Sequence, residues 1–237
     1  MHGAKPERVG GMEGKFDLEA IPRENLGQSV YGQLSDALVK GRFAPNMRLT
    51  IRELATSLGT SVTPVRDAVL RLIQDEALVQ RTAREVRVPV LSLEDYAELM
   101  KVRLRIEGLA AREAALKATP DEIAVLTDLS QRNEEAIAAR RWTDAFDLNQ
   151  TFHFRIAEIA SLPLLHGFLH RIWLKMGPVI AESHKEGSSL RLDQHYRLIA
   201  AIRDRDPATA EQAMISDMSD VGDVMIAYLQ RLNEAVA

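Results

Sequence analysis

Residues 49–79 read LTIRELATSLGTSVTPVRDAVLRLIQDEALV and contain two short amphipathic segments with a glycine between them. The apolar positions of the first segment recur at helical spacing, at Ile51, Leu54, Ala55 and Leu58. Those of the second segment do the same, at Val65, Ala68, Val69 and Leu72. Gly59 allows a tight turn, Ser61 stands at an N-cap position, and Pro64 falls in the first helical turn, where its missing N–H breaks no bond. The stretch therefore predicts a helix-turn-helix.

The segments on either side extend this unit. The preceding one is predicted to be a helix that ends at Gly41, with its apolar residues at Val30, Leu34 and Leu38. The following one alternates in hydropathy, as two short strands do, at Leu78, Val79, Val86, Val88 and Val90. Basic residues lie between and within these strands, at Arg81, Arg84 and Arg87. A hairpin in this place is a wing, and its basic turn is expected to approach DNA phosphates or the minor groove.

The rest of the chain is predicted to be helical. Six segments have apolar residues at helical spacing, over 94–118, 120–140, 142–161, 164–186, 189–205 and 207–232. Gly177-Pro178 predicts a kink or break inside one of them. The expected fold is mainly α, with an N-terminal winged helix-turn-helix followed by a C-terminal antiparallel six- or seven-helix bundle. The expected division is a mobile tail over 1–25, a winged helix-turn-helix DNA-binding domain over 26–91 and a helical domain over 92–233.

Charge is distributed unevenly along the 237 residues, although the net charge is only −4. Residues 1–90 carry 13 basic and 11 acidic side chains, whereas residues 91–237 carry 17 and 23. The slightly basic N-terminal part suits contact with nucleic acid. The chain has no cysteine, which excludes disulfides and thiol catalysis, and it has no apolar run long enough to span a membrane. We therefore expect a cytoplasmic protein that associates with the nucleoid when it binds DNA.

The TPVR signature and the apolar helix after it resemble the winged helix-turn-helix of GntR-type bacterial transcription regulators. Three later stretches are similar to the helical effector-binding domain of the FadR subfamily, the FCD domain: VRLRIEGLAA, NQTFHFRIAEIASLPLL and DQHYRLIAAIRDRDPATAEQAM. Together the two resemblances cover residues 27–232. They imply a homodimeric transcription regulator, expected to be a repressor, that binds a palindromic double-stranded DNA operator. They also imply that residues 92–233 are an effector-binding and dimerisation domain, in which a small metabolite alters the affinity for DNA.

The resemblance assigns DNA contacts by position to Arg52, Ser61, Thr63, Pro64 and Arg66. The basic turn of the wing adds Arg84, at a position where the family usually has a glycine. Arg66 is expected to read a guanine or to bind a phosphate through charge-assisted hydrogen bonds. The alternative is a surface arginine paired with Asp67 or Glu53. Val62 stands where the family commonly has an arginine, and an apolar side chain there can meet a thymine methyl group.

The resemblance to FCD domains also implies a metal site, whose first two ligands are an Asp or Asn and a His one helical turn apart. Asn149 and His153 stand four residues apart, so both side chains leave one face of a helix. The resemblance adds His195 and Asp217 as further ligands, the latter where the family has a histidine. Imidazole and carboxylate groups suit a divalent ion such as Zn, Ni, Mn or Fe. The alternative is a metal-free polar pocket in which Asn149 and Asp217 satisfy the two histidines.

Arg103 matches a family arginine that faces the cavity of the bundle, where it is expected to hold the carboxylate of a small organic acid. The alternative is a surface ion pair with Glu107, one turn later. His184 and other aromatic residues at helical spacing are more typical of a core. Two other functions remain open: a metal-dependent enzyme built on the bundle, and a winged-helix adaptor that binds protein. The enzyme is disfavoured, because no nucleophile motif or phosphate-binding glycine loop is present.

Overall fold

The computed structural model describes residues 26–82, 85–185, 192–220 and 222–236. The first part of this range contains three helices and three short strands: α1 (Leu26–Val39), β1 (Arg48–Leu49), α2 (Ile51–Ser57), α3 (Val62–Gln74), β2 (Val79–Thr82) and β3 (Glu85–Arg87). The predicted tail over 1–25 and the wing residue Arg84 lie outside the described residues.

Helices α2 and α3 form the predicted helix-turn-helix. Thr50 begins α2 because its hydroxyl accepts a hydrogen bond from the backbone N–H of Glu53 at 3.2 Å. Gly59 turns the chain with a φ of +61°, a conformation that glycine adopts at little cost. Ser61 stands at the N-cap of α3 as predicted, but its side chain makes no capping hydrogen bond. The hydroxyl of Ser61 therefore does not serve to cap the helix.

The wing contains one strand more than the sequence indicated. The sheet order is β1-β3-β2, with both pairs antiparallel. The extra strand β1 comprises only two residues and pairs Leu49 with Val86. Asn46 precedes it with a φ of +62° and donates its backbone N–H to the carbonyl of Val88 at 3.0 Å. A strand of two residues is too short to show alternating hydropathy, so it had no signal in the sequence.

The second part of the chain is a bundle of seven helices within the described residues: α4 (Leu93–Lys117), α5 (Pro120–Ala138), α6 (Trp142–Ile159), α7 (Pro163–Lys185), α8 (Asp193–Arg203), α9 (Pro207–Ser219) and α10 (Gly222–Val236). The fold class predicted from the sequence is confirmed. The segment expected to be one helix over 207–232 is instead two, α9 and α10. None of the described helices is both long and apolar enough to cross a membrane.

Helix α7 continues through Gly177-Pro178, so of the expected kink or break, the break does not occur. Pro178 lacks an N–H, and the carbonyl one turn before it loses its helical donor. The flanking residues are nevertheless buried in the core on both sides, among them Trp173, Leu174, Met176 and Val179. Burial of these side chains holds the helix together across the proline.

A close backbone contact joins the two parts of the chain. A Cβ atom added at Gly177 would lie 2.6 Å from the carbonyl oxygen of Val39 and 2.7 Å from that of Leu38, so α7 and the end of α1 touch through their main chains. Gly41, with a φ of +57°, makes the matching approach to Ala181. Three ion pairs cross the same junction: Arg42 with Asp147, Lys175 with Glu76, and Arg171 with Asp75.

We expect Gly177→Ala to lower the free energy of unfolding by about 1–3 kcal/mol, because the new methyl group must displace the backbone of α1. Urea denaturation measures the change. Gly167→Ala is the matched control on the same helix, since nothing lies within 4 Å of its added Cβ. That variant should be neutral or more stable by up to about 1 kcal/mol. Equal effects of the two substitutions would contradict the close contact.

Candidate functional site

A small cavity lies inside the helical bundle, with a volume of about 80 Å³. Helices α4, α6, α7, α9 and α10 contribute to its wall. Its apolar lining includes four methionines, Met100, Met176, Met218 and Met225. Its polar lining comprises Tyr96, Arg103, Asn149, His153, His184, Asp217 and Asp220. The cavity thus combines a flexible apolar wall with a few polar groups, as sites for small molecules commonly do.

Three side chains on different helices meet beside this cavity. His153 of α6, His195 of α8 and Asp217 of α9 place potential ligand atoms within 4.8 Å of one another. The Nε2 atoms of His153 and His195 each lie 3.4 Å from a different oxygen of Asp217. The structure therefore brings together three of the four residues predicted as metal ligands. Asn149, the fourth, lines the cavity one turn before His153.

Glu107 of α4 orients His153. Its carboxylate accepts a hydrogen bond from His153 Nδ1 at 2.5 Å, which leaves Nε2 facing Asp217. The same carboxylate accepts bonds from Arg103 Nε at 2.5 Å and Trp173 Nε1 at 3.3 Å. A carboxylate on the far nitrogen of a histidine is the usual support for a metal-binding imidazole. This role of Glu107 was not predicted from the sequence, although its position one turn after Arg103 was visible.

Burial and neighbouring charges shift the pKa values of Glu107, His153 and His195 away from their ordinary values. Burial alone would raise the pKa of Glu107, but Arg103 and His153 outweigh that effect and hold the pKa at about 2. Burial would lower the pKa of His153, yet Glu107 and Asp217 raise it to about 9. Burial dominates at His195 and lowers its pKa to about 4. His195 is therefore neutral and presents an imidazole lone pair.

His195 tests whether the cluster suits a metal. Both of its ring nitrogens are buried and have no hydrogen-bond partner within the described part of the chain. In the metal-free alternative its nitrogens should be hydrogen-bonded, since an unsatisfied buried polar atom costs about 1–3 kcal/mol. A divalent cation between the two imidazoles and the carboxylate would coordinate Nε2 of His195, the nitrogen that faces Asp217, so these residues fit a metal ion.

Arg103 lines the cavity of the bundle and also pairs with Glu107. It forms the i,i+4 ion pair with Glu107, but the pair is buried, with the residues only 6% and 1% exposed. The expected surface pair is therefore wrong, because packing against α7 covers it. The guanidinium also lies 4.6 Å above the ring of Trp173, and the side chain lines the cavity. Arg103 thus adds positive charge to the cavity while it is held by Glu107.

The predicted DNA-contacting residues of α2, of α3 and of the turn between them are accessible to solvent. Arg52, Ser61, Thr63 and Arg66 are exposed, and Pro64 is partly exposed. The pairing of Arg66 with Asp67 or Glu53 does not occur among the described residues, where Glu53 instead contacts Thr50. The guanidinium of Arg71, farther along α3, stacks over the ring of Tyr31, with its Cζ 4.0 Å from the ring centroid. Arg66 is therefore a charged side chain of α3 that is available to a ligand.

Comparison with known protein families gives two matches along the chain. The profile of the bacterial regulatory proteins, gntR family, matches residues 26–88, and that of the FCD domain matches residues 98–220. Among curated proteins, the HTH-type transcriptional regulator McbR of Escherichia coli K12 is 27% identical over 210 residues, 87% of this chain and 94% of McbR. The HTH-type transcriptional repressor RspR of the same strain is 24% identical over 209 residues, 87% of this chain and 92% of RspR.

Solved structures agree with these matches. The structure of E. coli McbR/YncC superimposes with a TM-score of 0.76 at 25% identity, over 91% of this chain and all of that one. A GntR regulator from Rhodococcus sp. RHA1 gives a TM-score of 0.69 at 22% identity, over 87% and 99%. The FCD profile alone spans more than half of the chain, and the matched proteins are regulators of transcription. The chain therefore belongs to the GntR family of bacterial regulatory proteins, as a transcriptional regulator with an FCD domain and not as an enzyme.

Proposed function

We propose that this protein is a homodimeric repressor that binds a palindromic operator and responds to a small carboxylate held beside a divalent metal. The observation that carries the proposal is the buried cluster of His153, His195 and Asp217, which borders a cavity with polar lining inside the bundle. RspR is named a repressor, which supports repression as the direction of regulation. The N-terminal winged helix-turn-helix would read DNA, and the bundle would bind the effector and the partner subunit.

The exposed end of α3 is the proposed DNA-reading surface. Arg66 stands on it with Ser61 and Thr63, and Arg52 is exposed on α2. Their charged and hydroxyl groups are suited to phosphates and to the edges of bases. Val62, 38% exposed at the start of the helix, offers an apolar contact to a thymine methyl group. Arg84 of the wing completes the proposed set.

An exposed apolar stripe supports the dimer. Val102, Leu109 and Leu116 recur every seven residues along the outer face of α4, so they form one seam. Phe168 of α7, 58% exposed, shares a groove with Val102. A contiguous apolar surface of this kind on a regulator favours association with a second copy.

The proposed metal would be held by His153, His195 and Asp217, with Asn149 as a further oxygen ligand. When bound, the ion would supply a fixed positive charge that attracts the effector's carboxylate. Arg103 adds a second positive charge at the cavity wall. Glu107 keeps both His153 and Arg103 in place through its two oxygens.

Helix α7 offers a physical connection between the cavity and the DNA-binding part. Met176, Ile180 and His184 line the cavity, while Gly177 lies against the end of α1. An effector that favours one position of α7 would thereby change how the winged helix-turn-helix is held. Such a response requires unequal affinity of the effector for the two arrangements.

Selection of genomic DNA fragments by the purified full chain, with and without added Zn²⁺, tests the proposal. We expect recovery of a palindromic site that is bound by two copies of the chain. Titration of that site at several salt concentrations should show the loss of affinity that phosphate contacts produce. Failure to enrich any sequence under either condition would overturn the proposed operator binding.

Metal binding has its own expected result. Zn²⁺ added to chelator-treated protein at ten times its dissociation constant should stabilise the fold by about 1.4 kcal/mol, visible as a rise in Tm. Asp217→Ala should abolish that rise, because it removes the carboxylate between the two imidazoles. Asp223→Ala, an exposed change at the start of α10, should retain it. An undiminished rise in the Asp217 variant would contradict the proposed ligand set.

A further inference from the structure

The last described helix, α10, borders the cavity and is attached to the bundle by a narrow apolar face. Its buried side chains among the described residues are Met225, Tyr228 and Leu229. Met225 lines the cavity. Val224 and Ile226, which are also apolar, are exposed. An element with so few buried apolar contacts is of the kind that opens locally while the rest of a fold stays intact.

An apolar groove lies on the surface directly outside the cavity, where α4, α9 and α10 meet, and has a volume of about 310 Å³. Three side chains line both the groove and the cavity: Tyr96 and Met100 of α4, and Met218 of α9. They therefore form the wall between the two spaces. Gly222 and Ile226 of α10 also line the groove. Methionine side chains are flexible, so this wall can rearrange when α10 moves.

The C-terminal half of α10 is tied to the linker between the two parts of the chain, residues 88–92. The Nδ2 atom of Asn233 donates to the carbonyl oxygen of Leu91 at 3.0 Å and to that of Leu229, one turn earlier in its own helix, at 2.8 Å. Leu91 stands between strand β3 of the wing and helix α4 of the bundle. One side-chain amide thus joins α10 to the segment that attaches the DNA-binding part.

We propose that α10 is a lid over the cavity and that Asn233 latches the closed lid to the linker at Leu91. In the closed position Met225 completes the cavity wall. When α10 swings away, Met225 leaves the wall, the groove and the cavity join, and the bond to Leu91 breaks. A ligand that packs against Met225 favours the latched state, so occupancy of the cavity and the hold on the linker change together. The lid controls access to the cavity whatever ligand fills it.

Labelling of single introduced cysteines in the folded full chain tests the lid, because the chain itself has no cysteine. Met176→Cys places a thiol in the cavity wall on α7. Leu169→Cys is the matched control, since Leu169 is buried on the same helix and does not line this cavity. We expect methyl methanethiosulfonate to label Met176→Cys at least about tenfold faster than Leu169→Cys, because local opening is more frequent than global unfolding. Equal rates would mean that the cavity opens only by global unfolding, and the lid would be overturned.

Asn233→Ala tests the latch. Labelling of Met176→Cys should become about 2- to 12-fold faster in this background, the factor that one hydrogen bond provides, and that of Leu169→Cys should not change. Alanine favours a helix more than asparagine does, so a weaker helix cannot explain the acceleration. Glu234→Ala, an exposed change at the next position of α10, is the control and should leave both rates unaltered. Equal acceleration at both cysteines, or none at either, would overturn the latch.

Hydrogen–deuterium exchange identifies the segments that move. In Asn233→Ala the amides of α10 and of the linker over 88–92 should exchange faster than in Glu234→Ala, while those of α6 and α7 keep their wild-type rates. Faster exchange in α10 with an unchanged linker would mean that the lid is not tied to the DNA-binding part, which overturns the latch. Unchanged exchange in α10, with faster labelling of Met176→Cys, would mean that access runs through another seam, which overturns the lid.

Discussion

Replacing Glu107 by Gln is expected to lower the free energy of unfolding by about 3–5 kcal/mol, the largest stability change that we predict for a single residue. The carboxylate is 1% exposed and holds Arg103 and His153 through separate oxygens. An amide of the same shape keeps the volume but removes the negative charge. The guanidinium of Arg103 would then be buried without a counter-charge, and this desolvated cation accounts for most of the loss.

A double variant separates the effect of the buried charges on stability from the effect of side-chain shape. Arg103→Met combined with Glu107→Gln removes both charges, so its destabilisation should be smaller than the sum of the two single changes. Glu211→Gln is the control, because Glu211 pairs with Arg112 at 3.5 Å on the surface and should cost at most about 1 kcal/mol. Urea denaturation of the variants measures each value. A Glu107 variant as stable as the Glu211 variant would show that the buried charges are screened by water.

The same substitution should weaken the metal site. Without the carboxylate, His153 loses the partner that keeps its Nε2 directed at Asp217. Loss of such a support typically reduces metal affinity by about 10- to 100-fold. Zn²⁺ titration of the Glu107→Gln variant, compared with Glu211→Gln, measures this effect. An unchanged affinity would mean that packing against Phe152 and Trp173 alone orients the ring.

The helix-turn-helix could be predicted from local signals in the sequence. Gly59 and Pro64 mark the turn and the start of α3, and the apolar spacing of each helix identifies its buried face. These signals act over a few residues. The close approach of α7 to α1 was not predictable, because Gly177 and Val39 are far apart in the chain and meet only through tertiary packing.

The candidate site was predictable to a smaller extent. The four-residue spacing of Asn149 and His153 places both on one helical face, but nothing local connects His153 with His195 or Asp217. Those two positions came from the family resemblance. Glu107 was missed because its burial depends on Trp173 and His153, which lie on other helices. A charged pair at i,i+4 spacing looks the same in sequence whether it is buried or exposed.

Arg66→Ala is expected to weaken operator binding by about 1–3 kcal/mol, or about 5- to 150-fold. Arg66 is exposed on α3 and forms no ion pair with the described residues, so its guanidinium can contact DNA without first breaking an intramolecular bond. Fold stability should change little, because exposed substitutions rarely alter it by more than about 0.5 kcal/mol. Fluorescence anisotropy with a labelled operator measures the affinity of the variant and the wild type.

The salt dependence of the Arg66 variant distinguishes the kind of contact that is lost. A phosphate contact would lower the slope of log affinity against log salt by about 1 and would weaken all sequences alike. A guanine contact would instead relax selectivity at one position of each half-site. Arg132→Ala is the control, since Arg132 pairs with Asp128 on the surface of α5, in the bundle. If both variants bind like the wild type, α3 is not the DNA-reading helix, and contact must come from Arg52 or the wing.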